Sequence, residues 1–191
     1  MFRGGLPDDL DHLLIGVDRL ESAMEWFESR LGVRPKAGGR HERWGTHNAL
    51  LGAGGGRYLE ILALDPDAPA DARALGAETF GLSAGMSTHV VGWCAAARDL
   101  GARVEAAARG GVDLGAPLDG GRERPDGSRV RWRITQPLVL GGGLIPFLIE
   151  WGESVHPSTD APEGIRLVRL EGEHPDPERI WRMLAAIGSR L

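Results

Sequence analysis

The stretch Asp11-His12-Leu13-Leu14-Ile15-Gly16-Val17 decides the fold, because Thr88-His89-Val90-Val91-Gly92-Trp93 echoes it in the second half of the chain. Each copy places one histidine at the start of an apolar run that reads as a buried β-strand. Each half then closes on another apolar strand bearing a single carboxylate, Arg57-Tyr58-Leu59-Glu60-Ile61-Leu62 and Pro146-Phe147-Leu148-Ile149-Glu150-Trp151. Self-similarity of this kind fixes architecture before any single element does.

Working outward from the first copy, Asp18 is placed to cap a helix over 20–31, whose apolar positions Leu20, Ala23, Met24, Phe27 and Leu31 recur at helical spacing. Gly32 ends it. Gly38-Gly39 reads as a loop, 46–51 as a strand, 52–56 as a glycine turn and 58–64 as a strand, which makes residues 1–66 a first βαβββ module. A polar, alanine-rich connector with one short helix follows over 67–85. The pattern restarts over 86–155: a strand at 86–94, a helix at 95–108, a loop at 115–125 and strands at 129–135 and 144–151. A third, partial echo occupies 156–191, with a strand at 165–170 and a helix capped by Asp176-Pro177. The predicted fold class is α+β: two tandem βαβββ modules forming an open barrel-like mixed sheet, with a C-terminal βα extension.

Bulk properties narrow the function. The 191 residues carry a net charge of -5, with 42% hydrophobic and 26% charged residues, the profile of a globular protein. An acidic balance argues against nucleic acid, which calls for a basic face. No apolar run reaches membrane-spanning length and the N-terminus lacks a signal-peptide core, so no membrane partner and a cytoplasmic location are expected. The single cysteine, Cys94, sits among small apolar neighbours and reads as an inert core thiol.

Alternation along strands puts His12 on the face of Leu14 and Gly16, Glu60 with Tyr58 and Leu62, and Glu150 with Leu148. If the larger aliphatics cover the face under the helices, His12, Glu60, His89 and Glu150 share one concave surface. Imidazole and carboxylate donors suit a divalent metal such as Zn, Ni, Mn or Fe. A buried unpaired carboxylate is costly, and a cation would neutralise it.

At these residues the chain resembles the vicinal oxygen chelate superfamily, and within it the glyoxalase-like domains related to bleomycin-resistance proteins. The resemblance rests on 11–18 running into Ala23-Met24-Glu25-Trp26-Phe27, on Gly45-Thr46-His47-Asn48-Ala49-Leu50 with 57–61, on Thr88-His89-Val90-Val91, and on Phe147-Leu148-Ile149-Glu150-Trp151. It implies paired modules around a divalent metal held by His12, Glu60, His89 and Glu150. It also implies lyase or isomerase chemistry on a small, oxygen-rich, anionic substrate through a metal-stabilised enediolate, with Glu150 ahead of Glu60 as the proton carrier. Ring-cleaving Fe(II) dioxygenases of the superfamily use three such positions, here His12, His89 and Glu150. A metal-free protein that sequesters a ligand is the remaining alternative. Members often pair modules across a dimer; both modules are present here, so a homodimer and a self-contained site stay open.

Around this centre, Trp44, His47 and Asn48 suit a pocket wall that binds substrate. Trp93, with Trp44, Trp132 and Trp151, could stack on a flat ligand. Arg129, Arg131 and Arg133 alternate with Val130, Trp132 and Ile134; Arg131 would hold an anion if that face lined the barrel. His156 and His174, both beside prolines, read as surface residues.

Overall fold

The computed structural model describes residues 5–123, 129–137 and 140–189. Among them the βαβββ order occurs twice. The first copy is β1 (Leu10–Gly16), α1 (Leu20–Leu31), β2 (Lys36–His41), β3 (Thr46–Gly54) and β4 (Arg57–Leu64). Helix α2 (Ala70–Phe80) connects it to β5 (His89–Ala96), α3 (Leu100–Arg109), β6 (Leu118–Glu123), β7 (Arg129–Ile134) and β8 (Phe147–Glu150). Helix α4 (Pro177–Ala186) ends the described chain.

One eight-stranded sheet holds both copies in the order β2-β3-β4-β1-β5-β8-β7-β6. Each first strand lies parallel to the last strand of its own copy, and β1 and β5 run antiparallel at the centre. The two edges curl towards each other, and the Arg122 guanidinium on β6 donates to the Gly38 carbonyl of β2. The result is a nearly closed barrel whose inner face is reserved for the site.

Alternation along β1 explains the two layers. Leu13, Ile15 and Val17 pack outward against Ala23, Met24 and Phe27 of α1, in the main core. Leu14 packs inward with Trp44, Leu62, Cys94, Trp132 and Ile149. Helix α1 ends at Gly32, whose left-handed φ of 72° turns its N–H back to Glu28 O. Helix α4 starts as the sequence implies, with the Asp176 carboxylate accepting from Arg179 N and Ile180 and Leu184 buried.

Several elements depart from expectation. Gly38-Gly39 and part of 115–125, read as loops, lie within the strands Lys36–His41 and Leu118–Glu123. Asp18 does not cap α1; its carboxylate accepts from Gly85 N across the connector. Residues 95 and 96 belong to β5, and α3 starts at Leu100 behind Asp99, which caps Ala102 N. Residues 165–170 form no strand: the segment runs beside β3 and is tied there by Leu167 N to Ala53 O. No helix among the described residues is long and apolar enough to cross a membrane.

Candidate active site

His12 leaves the inner face of β1 and is almost fully buried. Its Nε2 lies 3.2 Å from Glu60 Oε2 on the neighbouring β4. Its Nδ1 lies 2.7 Å from Asp11 Oδ1, and the Tyr58 ring stacks on it at 4.6 Å. Burial opposes a charged imidazole here, yet hydrogen bonds to Asp11 and Glu60 outweigh it and raise the pKa to about 9. Burial likewise opposes the Glu60 carboxylate, and the His12 hydrogen bond and charge overcome it, lowering its pKa to about 2. The three form a buried carboxylate–imidazolium–carboxylate chain at neutral pH.

A second imidazole approaches Glu60 from the other side. His41 ends β2, with Nε2 3.9 Å from Glu60 Oε1 and 3.4 Å from Asn48 Nδ2. Its Nδ1 lies 3.0 Å from Thr46 Oγ1. The Asn48 amide also donates to Glu60 Oε1 at 2.6 Å. An amide donor facing Nε2 assigns the lone pair to that nitrogen and the proton to Nδ1, which then donates to Thr46. Burial, only partly countered by Glu60, lowers the His41 pKa below the usual histidine value, so this ring is neutral at pH 7. Asn48 Oδ1 is buried against Gly38 with no hydrogen-bond partner among the described residues.

These groups line a pocket that opens to solvent at its mouth. Trp44, Phe80, Trp132, Phe147 and Trp151 form aromatic walls, and Arg122 supplies a cation beside His41. Concave, mostly apolar walls with a few convergent polar groups are the hallmark of a small-molecule site.

Of the residues singled out from sequence, His12, Glu60, Asn48, Trp44, Trp132 and Trp151 meet in this pocket. The others do not join them. His89 sits exposed at the start of β5, bonded to Ser87 O, while the residue opposite His12 on β5 is Cys94. The separation along the strand is on the order of 15 Å. Glu150 lies on the outer face with Leu148, where Oε1 accepts from Leu100 N at the start of α3 and Oε2 pairs with Arg133. Trp93 is buried in the outer core and donates to Leu144 O. His47 lies outside the pocket lining, with Asp65 and Arg40 as its charged surroundings. Arg131 is on the exposed face of β7, and the inward position beside it is Trp132. His41, Arg122 and Phe80 were missed.

Comparison with known proteins places the chain. Residues 10–188 match the profile of the glyoxalase-like domain. The chain belongs to that family. A search of curated protein sequences finds no match. Among solved structures, this glyoxalase-like protein is similar to a hypothetical protein from Staphylococcus aureus at 20% identity and TM-score 0.56, over 76% of this chain and 59% of that one. A methylmalonyl-CoA epimerase variant from Streptomyces coelicolor, in complex with 2-nitronate-propionyl-CoA, aligns at 18% identity and TM-score 0.48, over 74% and 96% of the two chains. The epimerase from Mycobacterium tuberculosis aligns at 22% and 0.43, over 80% and 93%. At these identities the likeness is one of fold.

The donor geometry does not fit the four-ligand metal site that the family resemblance implies. Two of the four expected ligands face away from the pocket, and His12 and Glu60 are each committed to protein partners. Among the described residues, no group of three His, Cys, Asp or Glu side chains is spaced to hold a metal ion.

Proposed function

We propose that this glyoxalase-like protein is an acid–base enzyme of the isomerase or lyase type, moving a proton on a small hydroxy-carbonyl compound. The observation that carries the reading is the pair of imidazoles flanking one carboxylate, His12 charged and His41 neutral. Titratable groups whose environments drive their pKa values apart are the usual signature of assigned acid and base roles.

In this scheme His41 Nε2 takes the proton from the carbon next to the substrate carbonyl. The C–H electron pair forms a C=C bond with the carbonyl carbon, the C=O π pair moves onto oxygen, and an enolate results. The new His41 imidazolium sits beside the Glu60 carboxylate, which stabilises it, while Arg122 adds positive charge for the oxyanion. Return of the proton from His41 to the former carbonyl carbon, with the hydroxyl proton passing to the enolate oxygen as the hydroxyl carbon becomes the new carbonyl, completes an isomerisation; expulsion of a leaving group from the next carbon completes an elimination. His12 holds Glu60 ionised and in place. Glu60 thus keeps a part in the chemistry, and Glu150 has none.

The test is α-proton exchange. A panel of small α-hydroxy and α-keto carbonyl compounds is incubated with protein in D2O and followed by proton NMR. His41→Gln is expected to slow exchange by about 10²–10⁴-fold with the fold intact, the usual share of a positioned base. Equal exchange in wild type and His41→Gln overturns the assignment.

The aromatic walls favour a second reading, ligand sequestration without turnover. Trp44, Trp132 and Trp151 surround the pocket, so it predicts tryptophan quenching by a flat ligand that is recovered unchanged.

A further inference from the structure

The segment that leaves the second module crosses back over the first. Trp151 follows β8, and His156 precedes the short 3-10 turn Pro157–Thr159. Both reach Asp11, which is only 4% exposed. Asp11 Oδ2 accepts from Trp151 Nε1 at 2.9 Å and faces His156 Nε2 at 3.1 Å, while Oδ1 meets His12 Nδ1 at 2.7 Å.

The His156 tautomer follows from its neighbours. Ser158 N donates to His156 Nδ1 at 3.2 Å, so that nitrogen accepts and Nε2 carries the proton towards Asp11. The ring is also packed edge-on against Tyr58 at 5.7 Å and Trp151 at 5.3 Å. Tyr58 in turn stacks on His12. Two donors from one distant segment therefore fix both the charge partner and the aromatic neighbour of His12.

We infer that His156 and Trp151 are positioning residues: by clamping Asp11 they hold His12 in register with Glu60, which makes the segment after the second module a built part of the site. The inference deepens the proton-transfer reading and takes its importance from it, but its test needs no turnover. A carboxylate that keeps two fixed donors on Oδ2 presents Oδ1 to His12 in one orientation, much as second partners orient catalytic histidines elsewhere. Without them Asp11 can rotate, and the imidazole that faces Glu60 loses its anchor.

Ring-nitrogen NMR of the intact protein at pH 7 reads this directly. Both His12 N–H protons, bonded to carboxylates and shielded from water, should give slowly exchanging downfield signals in the wild type. In His156→Phe, which keeps an aromatic ring and removes the donor, the Nδ1–H signal should exchange about tenfold faster, the worth of one hydrogen bond to a charged group. His156→Gln restores an amide donor and should stay near wild type. Trp151→Phe should shift the same signal in the same direction, and it decides the matter if His156→Phe does not fold. Unchanged His12 signals in folded His156→Phe, or in Trp151→Phe where the former fails to fold, overturn the inference. So does a His156→Gln protein as perturbed as His156→Phe. His41→Gln, which disables the proposed base, should leave the His12 signals in place, so failure of the function and failure of the clamp are told apart.

Discussion

The two βαβββ copies share a backbone plan and differ in what they carry on the inner face. In the first, His12 and Glu60 point into the pocket and bond to each other. In the second, the inner positions nearest them are Cys94 and Ile149, both apolar and buried. The polar residues that seemed to match, His89 and Glu150, lie at a strand end and on the outer face. The two copies share the shape of the cradle, while the pocket's imidazoles and its carboxylate all come from the first and its arginine, Arg122, from the second. The second copy supplies walls, through Trp132, Phe147 and Ile149, and a clamp, through Trp151 and the turn beyond it.

Removing Glu60 should break the comparison most sharply. Glu60→Ala leaves the His12 imidazolium buried with half its charge partners, and loss of one member of a buried pair costs about 3–5 kcal/mol. Chemical denaturation should show that loss. Retention of near wild-type stability would mean that His12 becomes neutral at little cost. The same variant should lose any proton exchange the pocket supports.

The pH dependence of stability sharpens the comparison next. The folded pKa of His12 is raised to about 9, so its contribution is fully present below the unfolded value near 6.5 and fades as pH rises through 9. The folded pKa of Glu60 is lowered to about 2, so its contribution is present above the unfolded value and fades as pH falls towards 2. The two shifts share the His12–Glu60 pair, and Asp11 adds to that of His12, so the stability plateau should span about pH 5 to 6.5, with a decline on the order of 2 kcal/mol by pH 10. Urea midpoints across that range test it, and Glu60→Gln should make the alkaline limb shallower, with Asp11 sustaining the remainder. An unchanged limb in Glu60→Gln would assign the decline to other groups.

Much of the fold was legible because β1, β4, β5 and β8 are continuous apolar runs and α1 and α4 carry clear helical spacing. The edge strands were not. Lys36–His41 and Leu118–Glu123 are polar and rich in glycine, and the reason appears only in three dimensions. A side chain at Gly38 would collide with Asn48, and one at Gly120 would collide with Trp132. Glycine is needed where pocket side chains from the neighbouring strand lie across the edge. These positions look like turns in sequence for the same property that makes them fit a strand.

The site was half legible, and for related reasons. Alternation correctly grouped His12 with Leu14 and Glu60 with Tyr58. It also grouped Glu150 with Leu148, but the outward packing of Leu148 was invisible, so the face of Glu150 was misjudged. His89 was misassigned because the echo aligns strand beginnings, whereas the antiparallel ladder pairs His12 with Cys94 and is irregular between Leu14 and Ile15. The Asp11 clamp joins residues 140 and 145 positions apart, a separation over which no local spacing rule operates.

Glu150→Ala should have an intermediate effect of a different kind. Its carboxylate receives Leu100 N at the start of α3 and pairs with Arg133 across a partly exposed surface. Loss of a helix-terminus acceptor and a screened ion pair costs about 1–2 kcal/mol. Ligand binding in the pocket should be untouched. A fall in pocket affinity without a fall in stability would return Glu150 to the site.

The smallest expected effect belongs to His89, and it tests the four-ligand expectation most cleanly. The side chain is exposed and, among the described residues, bonds to Ser87 O close by, and surface changes away from special features usually stay within about 0.5 kcal/mol. His89→Ala should therefore leave thermal stability, pocket binding and proton exchange at wild-type values. Adding Zn, Ni or Mn should raise the melting temperature of wild type and variant alike or of neither, since a ligand stabilises only the folded state it binds. A metal-induced rise seen in the wild type and abolished by His89→Ala would bring β5 back into a shared centre and overturn the division of labour between the two copies.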